Sequence, residues 1–128
     1  MSEENEVRGE IALDLGGREF VLRPTYQAIQ AIESKTGKGI LALARGTTEL
    51  TVLDAAIIAA ECIKAHGKHI GDEMMASYTP VKLGEMIFET EGGVGACLGR
   101  LSVLLMLAAT GGYTASGELK AAKDQATA

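Results

Sequence analysis

The sequence contains no tryptophan, and only two phenylalanines, three tyrosines and two prolines among its 128 residues. Because 47% of the residues are nevertheless apolar, leucine, isoleucine, valine, alanine and methionine must fill the interior. Such an interior is usually helical. The length fits one domain that buries its own core without disulfides or a structural metal.

Clusters of positive charge are also absent. The chain has 12 basic against 17 acidic residues, a formal net charge of −5, and no run of lysines and arginines that would neutralise a row of phosphates. Nucleic acid is therefore not an expected ligand. The first ten residues, MSEENEVRGE, are acidic where a secretory signal is basic and then apolar, so we expect a cytoplasmic protein.

Long apolar runs and paired cysteines are missing as well. The longest apolar run near the C-terminus, LSVLLMLAA at residues 101–109, is too short to cross a bilayer, and no membrane partner is expected. Cys62 and Cys97 lack a C-x-x-C spacing, so we expect two reduced, buried thiols.

The stretch DLGGREFVLRPT, residues 14–25, joins two strand-like runs through a pair of glycines. Apolar residues alternate on both sides of the pair: Ile11, Leu13 and Leu15 before it, Phe20 and Leu22 after it. This pattern predicts a tight β-hairpin, because glycine readily takes the positive φ of such a turn. A phosphate-binding loop would need G-x-G-x-x-G before a helix, or G-x-x-x-x-G-K-[ST], and neither is present.

Prolines, capping residues and glycines predict where the helices begin and end. Pro24 ends the second strand, and a helix over residues 26–36 stops at Gly37. Further helices are predicted over residues 40–45, from Thr51 to about His66, from Thr79-Pro80 to about Glu91, and over residues 94–110, with a short helical piece at 72–77.

These elements predict an α+β fold, a single domain over residues 7–110 in which an N-terminal two-stranded β-hairpin packs on about four α-helices. Residues 1–6 are polar and are predicted to be disordered. Residues 111–128, GGYTASGELKAAKDQATA, are small and polar, and they are predicted to form a disordered C-terminal tail.

Reactive residues form no motif that predicts catalysis, and we expect neither enzyme activity nor a cofactor. No serine lies in a G-x-S-x-G setting, and the helix periodicity places Glu33, Glu61, Glu85 and Glu89 toward solvent. The candidate metal ligands are Cys62 and His66, four residues apart, followed by His69. Folding could bring Cys97 near this set, but Gly67 is expected to end the helix before His69, which favours two buried thiols and two surface histidines over a metal-binding domain.

The last predicted helix is apolar on nearly every side. Its core face contains Val94, Cys97, Leu98, Leu101, Leu104, Leu105 and Ala108, and its second side contains Ala96, Gly99, Val103, Met106 and Leu107. Neighbouring elements or another chain must cover this second side. Met74 and Met75 lie in a weakly patterned segment and are further candidates for contact with a partner.

The segment RGEIALDLGGREFVLRPTYQAIQAIESKTGKGILALARG, residues 8–46, resembles the tail assembly chaperone family of gene transfer agents and related prophages, also labelled a phage tail tube family. The shared order is a strand beginning R-G-E, a glycine turn, a strand ending L-R-P-T, and a helix closing on E-x-x-T-G.

The resemblance implies a non-catalytic protein in the cytoplasm of a bacterial host, which binds the tape-measure protein or other tail proteins while the tail assembles. The family offers no catalytic residue to transfer. The alternative is a minor structural tail protein, associated with the tube, that forms a homo-oligomer through the second side of the last helix.

Overall fold

The structure is a computed structural model that describes residues 11–120. In chain order its elements are β1 (Ile11–Leu15), β2 (Arg18–Leu22), α1 (Tyr26–Thr36), α2 (Ile40–Arg45), α3 (Val52–Ile70), α4 (Pro80–Glu89) and α5 (Gly93–Ala109). A first 3₁₀ segment, Thr47–Glu49, precedes α3, and a second 3₁₀ segment, Glu73–Ser77, precedes α4. The predicted α+β class, a hairpin packed on helices, is confirmed; the disorder predicted for residues 1–6 lies outside the described residues.

The hairpin turn contains two glycines and is held by a hydrogen bond to a residue far away in the sequence. β1 and β2 pair antiparallel, with Leu13 opposite Phe20. Gly16 and Gly17 have φ of 63° and 87°, the positive values that the Gly-Gly pair predicts. The Gly16 N–H donates a 3.0 Å hydrogen bond to Oγ1 of Thr90, between α4 and α5. The hairpin is therefore fixed to the α4–α5 corner.

The interior helix of the fold is α3. Every residue from 54 to 63 is buried, and α1, α4, α5, β2 and the second 3₁₀ segment all contact this helix. Small side chains allow this close packing: Gly84 of α4 lies against Ala56, whose Cβ is 3.6 Å from the position of a Cβ added at Gly84. The sequence pattern indicates the last helix as the candidate for a helix enclosed by its neighbours, whereas in the structure α3 is the enclosed helix.

The prediction that α3 ends near His66 is wrong. The helix continues to Ile70 and ends at Gly71, which has a left-handed φ of 74°. Gly67 is instead a packing position, because a Cβ there would lie 2.4 Å from Cβ of Met75 and 2.7 Å from the backbone oxygen of Asp72. Glycine at 67 allows the second 3₁₀ segment to pack directly on α3.

The helix α5 packs on α2 and buries one side of its surface. The buried residues are Cys97, Leu101, Leu104 and Leu105, all on the predicted core face. Among residues 11–120 no single helix has the length and apolar composition to span a membrane; α4 and α5 meet that criterion only as a pair, and they are bent by 117° at the break between them.

Residues 111–119, here called the C-terminal turn, fold back onto the start of α1. Tyr113 forms an isolated antiparallel bridge with Leu119, and the Tyr26 N–H donates to the carbonyl oxygen of Ala115 at 2.9 Å. Burial and, to a smaller extent, the electrostatic interaction with Cys62 raise the pKa of the Tyr113 hydroxyl to about 12. This differs from the disorder expected for residues 111–128, of which 121–128 lie outside the described residues.

Candidate functional site

The second side of α5 is exposed in the structure. The exposed residues of α5 are Gly95, Ala96, Gly99, Arg100, Val103 and Met106. The five uncharged ones form the stripe here called the α5 outer face, and Arg100 lies beside it, one turn after Ala96. The side chains of Val103 and Met106 are 53% and 47% exposed. Leu107 is less exposed than these two residues, because Gly112 of the C-terminal turn packs against it. Within residues 11–120, therefore, the second side is an open surface rather than core.

Two glycines of this stripe have no explanation inside the fold. Apart from the adjacent backbone of α5 itself, no atom of residues 11–120 lies within 4 Å of a Cβ added at Gly95 or Gly99, and neither residue has a positive φ. A glycine inside a helix makes that helix less stable than an alanine would, by about 1 kcal/mol. The two glycines lie one helical turn apart, about 6 Å at 1.5 Å per residue, so a partner backbone can approach this part of the stripe closely.

Met74 and Met75 lie in a different part of the molecule from the α5 outer face. Met74 is exposed, whereas Met75 is half-buried because it packs against Gly67. The second 3₁₀ segment that carries both residues packs on α3, while α5 packs chiefly on α2. The predicted contact residues thus fall into two groups, and Met75 belongs largely to the packing of the fold.

A further apolar surface on α4 escaped the sequence analysis. Phe88 is 76% exposed, the highest value among the large apolar side chains of residues 11–120. Val81 is also exposed and lies on the same face of α4. Glu85 lies between them, so that positions 81, 85 and 88 repeat at helical spacing opposite the buried Leu83 and Ile87. That spacing is the signal that would have identified the surface, here called the α4 outer face.

The candidate metal ligands do not assemble into a metal site. Cys62 is fully buried, and burial followed by the charge of Glu61 raises the pKa of its thiol to about 12, which disfavours the thiolate that binds metal. His69 is exposed, but His66 is 7% exposed, so its assignment to the surface is wrong. Residues 11–120 contain no group of three or more His, Cys, Asp and Glu side chains that could hold a metal ion.

A pocket of about 560 Å³ lies between α1 and α3, here called the α1–α3 pocket. Arg23 lines one end and is only 4% exposed. Its Nε donates to the carbonyl oxygen of Ser116 at 2.9 Å, whereas its Nη1 is enclosed and has no hydrogen-bond partner in the described part of the chain. The sequence analysis treated Arg23 only as part of a strand end, because nothing local indicates a buried guanidinium.

Glu61 lines the same pocket and is buried, contrary to the prediction that it faces solvent. Its carboxylate pairs with Lys35 at 2.5 Å and with Lys64 at 3.2 Å. Burial raises the pKa of this carboxyl, but the hydrogen bonds and charges of the two lysines outweigh burial and leave the pKa below its usual value. Helix periodicity failed here because α3 has almost no solvent side.

The described chain is thus a small α+β domain that presents apolar helix surface, as binding and assembly proteins do. Residues 8–83, more than half of the chain, match the family described as phage tail tube protein, GTA-gp10. The chain belongs to this family, which confirms the resemblance at the level of a phage or gene-transfer-agent tail protein. The match ends within α4, so α5 lies beyond it. No curated protein and no solved structure matches the chain.

Proposed function

We propose that this tail protein is a non-catalytic assembly factor that binds another tail polypeptide through the α5 outer face. Its client is the tape-measure protein, bound in the host cytoplasm during tail assembly. The observation that carries the proposal is the exposed stripe itself, in which Val103 and Met106 stand beside Gly95 and Gly99 without any contact in the fold that requires glycine.

The chemistry of the stripe suits an apolar helix as the client. A helix can lie across Gly95, Ala96 and Gly99 at short distance, while Val103 and Met106 contact its side chains. Burying the exposed half of each of these two side chains contributes about 1 kcal/mol. The flexible Met106 tolerates clients of different shape, and the net charge of −5 opposes aggregation of the loaded complex.

The test is co-expression with the neighbouring tail genes, followed by pull-down and identification of the bound chains. We expect Val103→Asp and Met106→Asp to abolish capture of the tape-measure protein while circular dichroism and the melting temperature stay close to wild type. Leu53→Asp is the matched control, because Leu53 is an exposed apolar residue in the first turn of α3, where an acidic residue is tolerated. Capture that survives both α5 variants would contradict the proposal.

A second candidate function is a minor structural protein of the tail tube, which associates with itself through the same α5 outer face. The description of the family as a tail tube protein supports this candidate. Quantitative mass spectrometry of purified particles separates the two: a structural subunit is present in stoichiometric amounts, whereas an assembly factor is needed for tails and absent from particles.

A further inference from the structure

We infer that the α1–α3 pocket binds an acidic peptide segment of a partner protein, with a glutamate side chain inserted so that its carboxylate pairs with Arg23. The pocket is lined by Arg23 and Thr25, which lie between β2 and α1, and by residues of α1, α3 and the C-terminal turn; no residue of the α5 outer face lines it. The inference rests on the proposed function only in taking the partner to be a polypeptide.

The position of Arg23 is fixed by three contacts. Its backbone N–H donates to the carbonyl oxygen of Cys62 at 3.0 Å, and its Nε donates to that of Ser116. Its stem lies against Gly117, where an added Cβ would be 2.9 Å from Cγ of Arg23. A guanidinium held this firmly needs little reorganisation when an anion arrives.

No acidic side chain within residues 11–120 forms an ion pair with this guanidinium. Its one side-chain hydrogen bond within residues 11–120 goes to a neutral carbonyl, and Nη1 is enclosed without a partner. A buried charge is unfavourable unless an opposite charge pairs with it. Glu61, the acidic residue in the pocket lining, is already engaged by Lys35 and Lys64.

The charge of the pocket is opposite to that of the whole chain. Its lining includes three basic side chains, Arg23, Lys64 and Lys68, against the single carboxylate of Glu61, in a protein with a net charge of −5. An acidic ligand is therefore attracted to this place and repelled from most of the remaining surface.

The walls of the pocket favour a side chain over a free ion. Ala28 and Ala31 of α1 and Ala65 of α3 line the space, and their methyl groups suit the methylenes of a glutamate. The guanidinium of Arg23 keeps its positive charge at every physiological pH, and a carboxylate is the side-chain group of opposite charge that pairs with it. A volume of about 560 Å³ is large enough for a few peptide residues.

The test uses the full ¹⁵N-labelled chain and two synthetic peptides, acetyl-AAEAAEAA-amide and the same sequence with both glutamates replaced by glutamine. We expect saturable chemical-shift changes at the Ala28 and Ala65 amides with the glutamate peptide, and binding at least about tenfold weaker with the glutamine peptide. Equal binding of both peptides, no binding, or shifts that map elsewhere would overturn the inference. So would inorganic phosphate that produces the same shifts at the same concentration, since the site would then be a general anion site.

Variants locate the effect within the protein. Lys68→Glu reverses an exposed charge in the last turn of α3 and is expected to weaken the glutamate peptide about tenfold, whereas Arg45→Glu, the matched reversal in the last turn of α2 outside the pocket, leaves it unchanged. Arg23→Gln should abolish binding, and Ala65→Phe, which fills the pocket, tests the same point if Arg23→Gln fails to fold. Val103→Asp should retain peptide binding, so loss of the tail partner in that variant and loss of the acidic peptide in Lys68→Glu report on separate proposals.

Discussion

At the scale of single residues, Glu61 is a carboxylate held inside the fold by charges from two helices. Lys35 reaches it from α1 and Lys64 from the next turn of α3. Burial works against ionisation of Glu61, but the lysines outweigh it, so the folded-state pKa lies below the usual 4.5. A carboxyl with a lowered pKa stabilises the fold above its unfolded-state pKa, and this contribution is lost as the pH falls through the folded-state pKa.

We therefore expect Glu61→Gln to be less stable than wild type at pH 7, by about 1–2 kcal/mol, because both lysines are half-exposed and solvent weakens the pairs. The difference should narrow below about pH 4.5 and close at lower pH, where the wild-type carboxyl is protonated. Urea denaturation at pH 7, 5 and 3 measures this. Glu85→Gln, on the exposed side of α4, should stay within about 0.5 kcal/mol of wild type. A constant difference for Glu61→Gln at every pH would contradict the assignment.

Two glycines inside helices should respond to alanine in opposite directions. Gly67→Ala places a Cβ against Met75 and the Asp72 backbone, so we expect a loss of about 1–3 kcal/mol despite the better helix propensity. Gly99→Ala meets open space and should gain roughly 0.5–1 kcal/mol from propensity alone. Thermal unfolding of the two variants measures both changes, and shifts of the same sign would show that one of the two environments is misassigned.

At the scale of elements, the parts of the fold that the sequence predicts are those with local causes. Thr25, Thr51 and Thr79 each cap a helix by accepting the backbone N–H three residues further on. Gly37 ends α1 in the left-handed conformation, as its position predicts. Each of these signals lies within four residues of its effect, so reading along the chain recovers the hairpin and the helix starts.

The features that sequence reasoning missed depend on contacts between residues that are far apart in the chain. The burial of Glu61 depends on Lys35, 26 residues earlier. The position of Arg23 depends on Ser116, 93 residues later. Helical periodicity therefore identified the α5 outer face, which is a property of one helix, but it had no means of finding a pocket built from α1, α3 and the C-terminal turn.

The attachment of the C-terminal turn should depend on Gly117. This residue has a φ of 86°, and an added Cβ would clash with Arg23, so Gly117→Ala should release the turn while the helices persist. Hydrogen exchange of the Tyr26 amide, which donates to Ala115, should then accelerate at least about tenfold, equal to about 1.4 kcal/mol of local stability. Ser116→Ala keeps the carbonyl that accepts from Arg23 and loses only the exposed hydrogen bond between its hydroxyl and that of Thr114, so that exchange should stay close to wild type.

At the scale of the whole molecule, the two binding surfaces that we propose, one apolar and one charged, are built from different elements. The α5 outer face lies beyond the matched range 8–83, whereas α1 and α3, which supply most of the pocket, lie within it. A chain arranged in this way can hold an apolar helix and an acidic segment at the same time, and each contact adds to the effective concentration of the other.

Binding of the tape-measure protein should therefore raise the unfolding temperature of this protein, because a ligand that binds only the folded state stabilises it. At a client concentration of 100 times Kd the expected stabilisation is about 2.7 kcal/mol. Calorimetry of wild type and Val103→Asp, with and without client, measures this: alone the two should melt alike, and only wild type should respond to client. If the melting temperature of wild type instead rises with its own concentration and that dependence disappears in Val103→Asp, the α5 outer face joins copies of this chain, and the structural tail-tube role is the correct one.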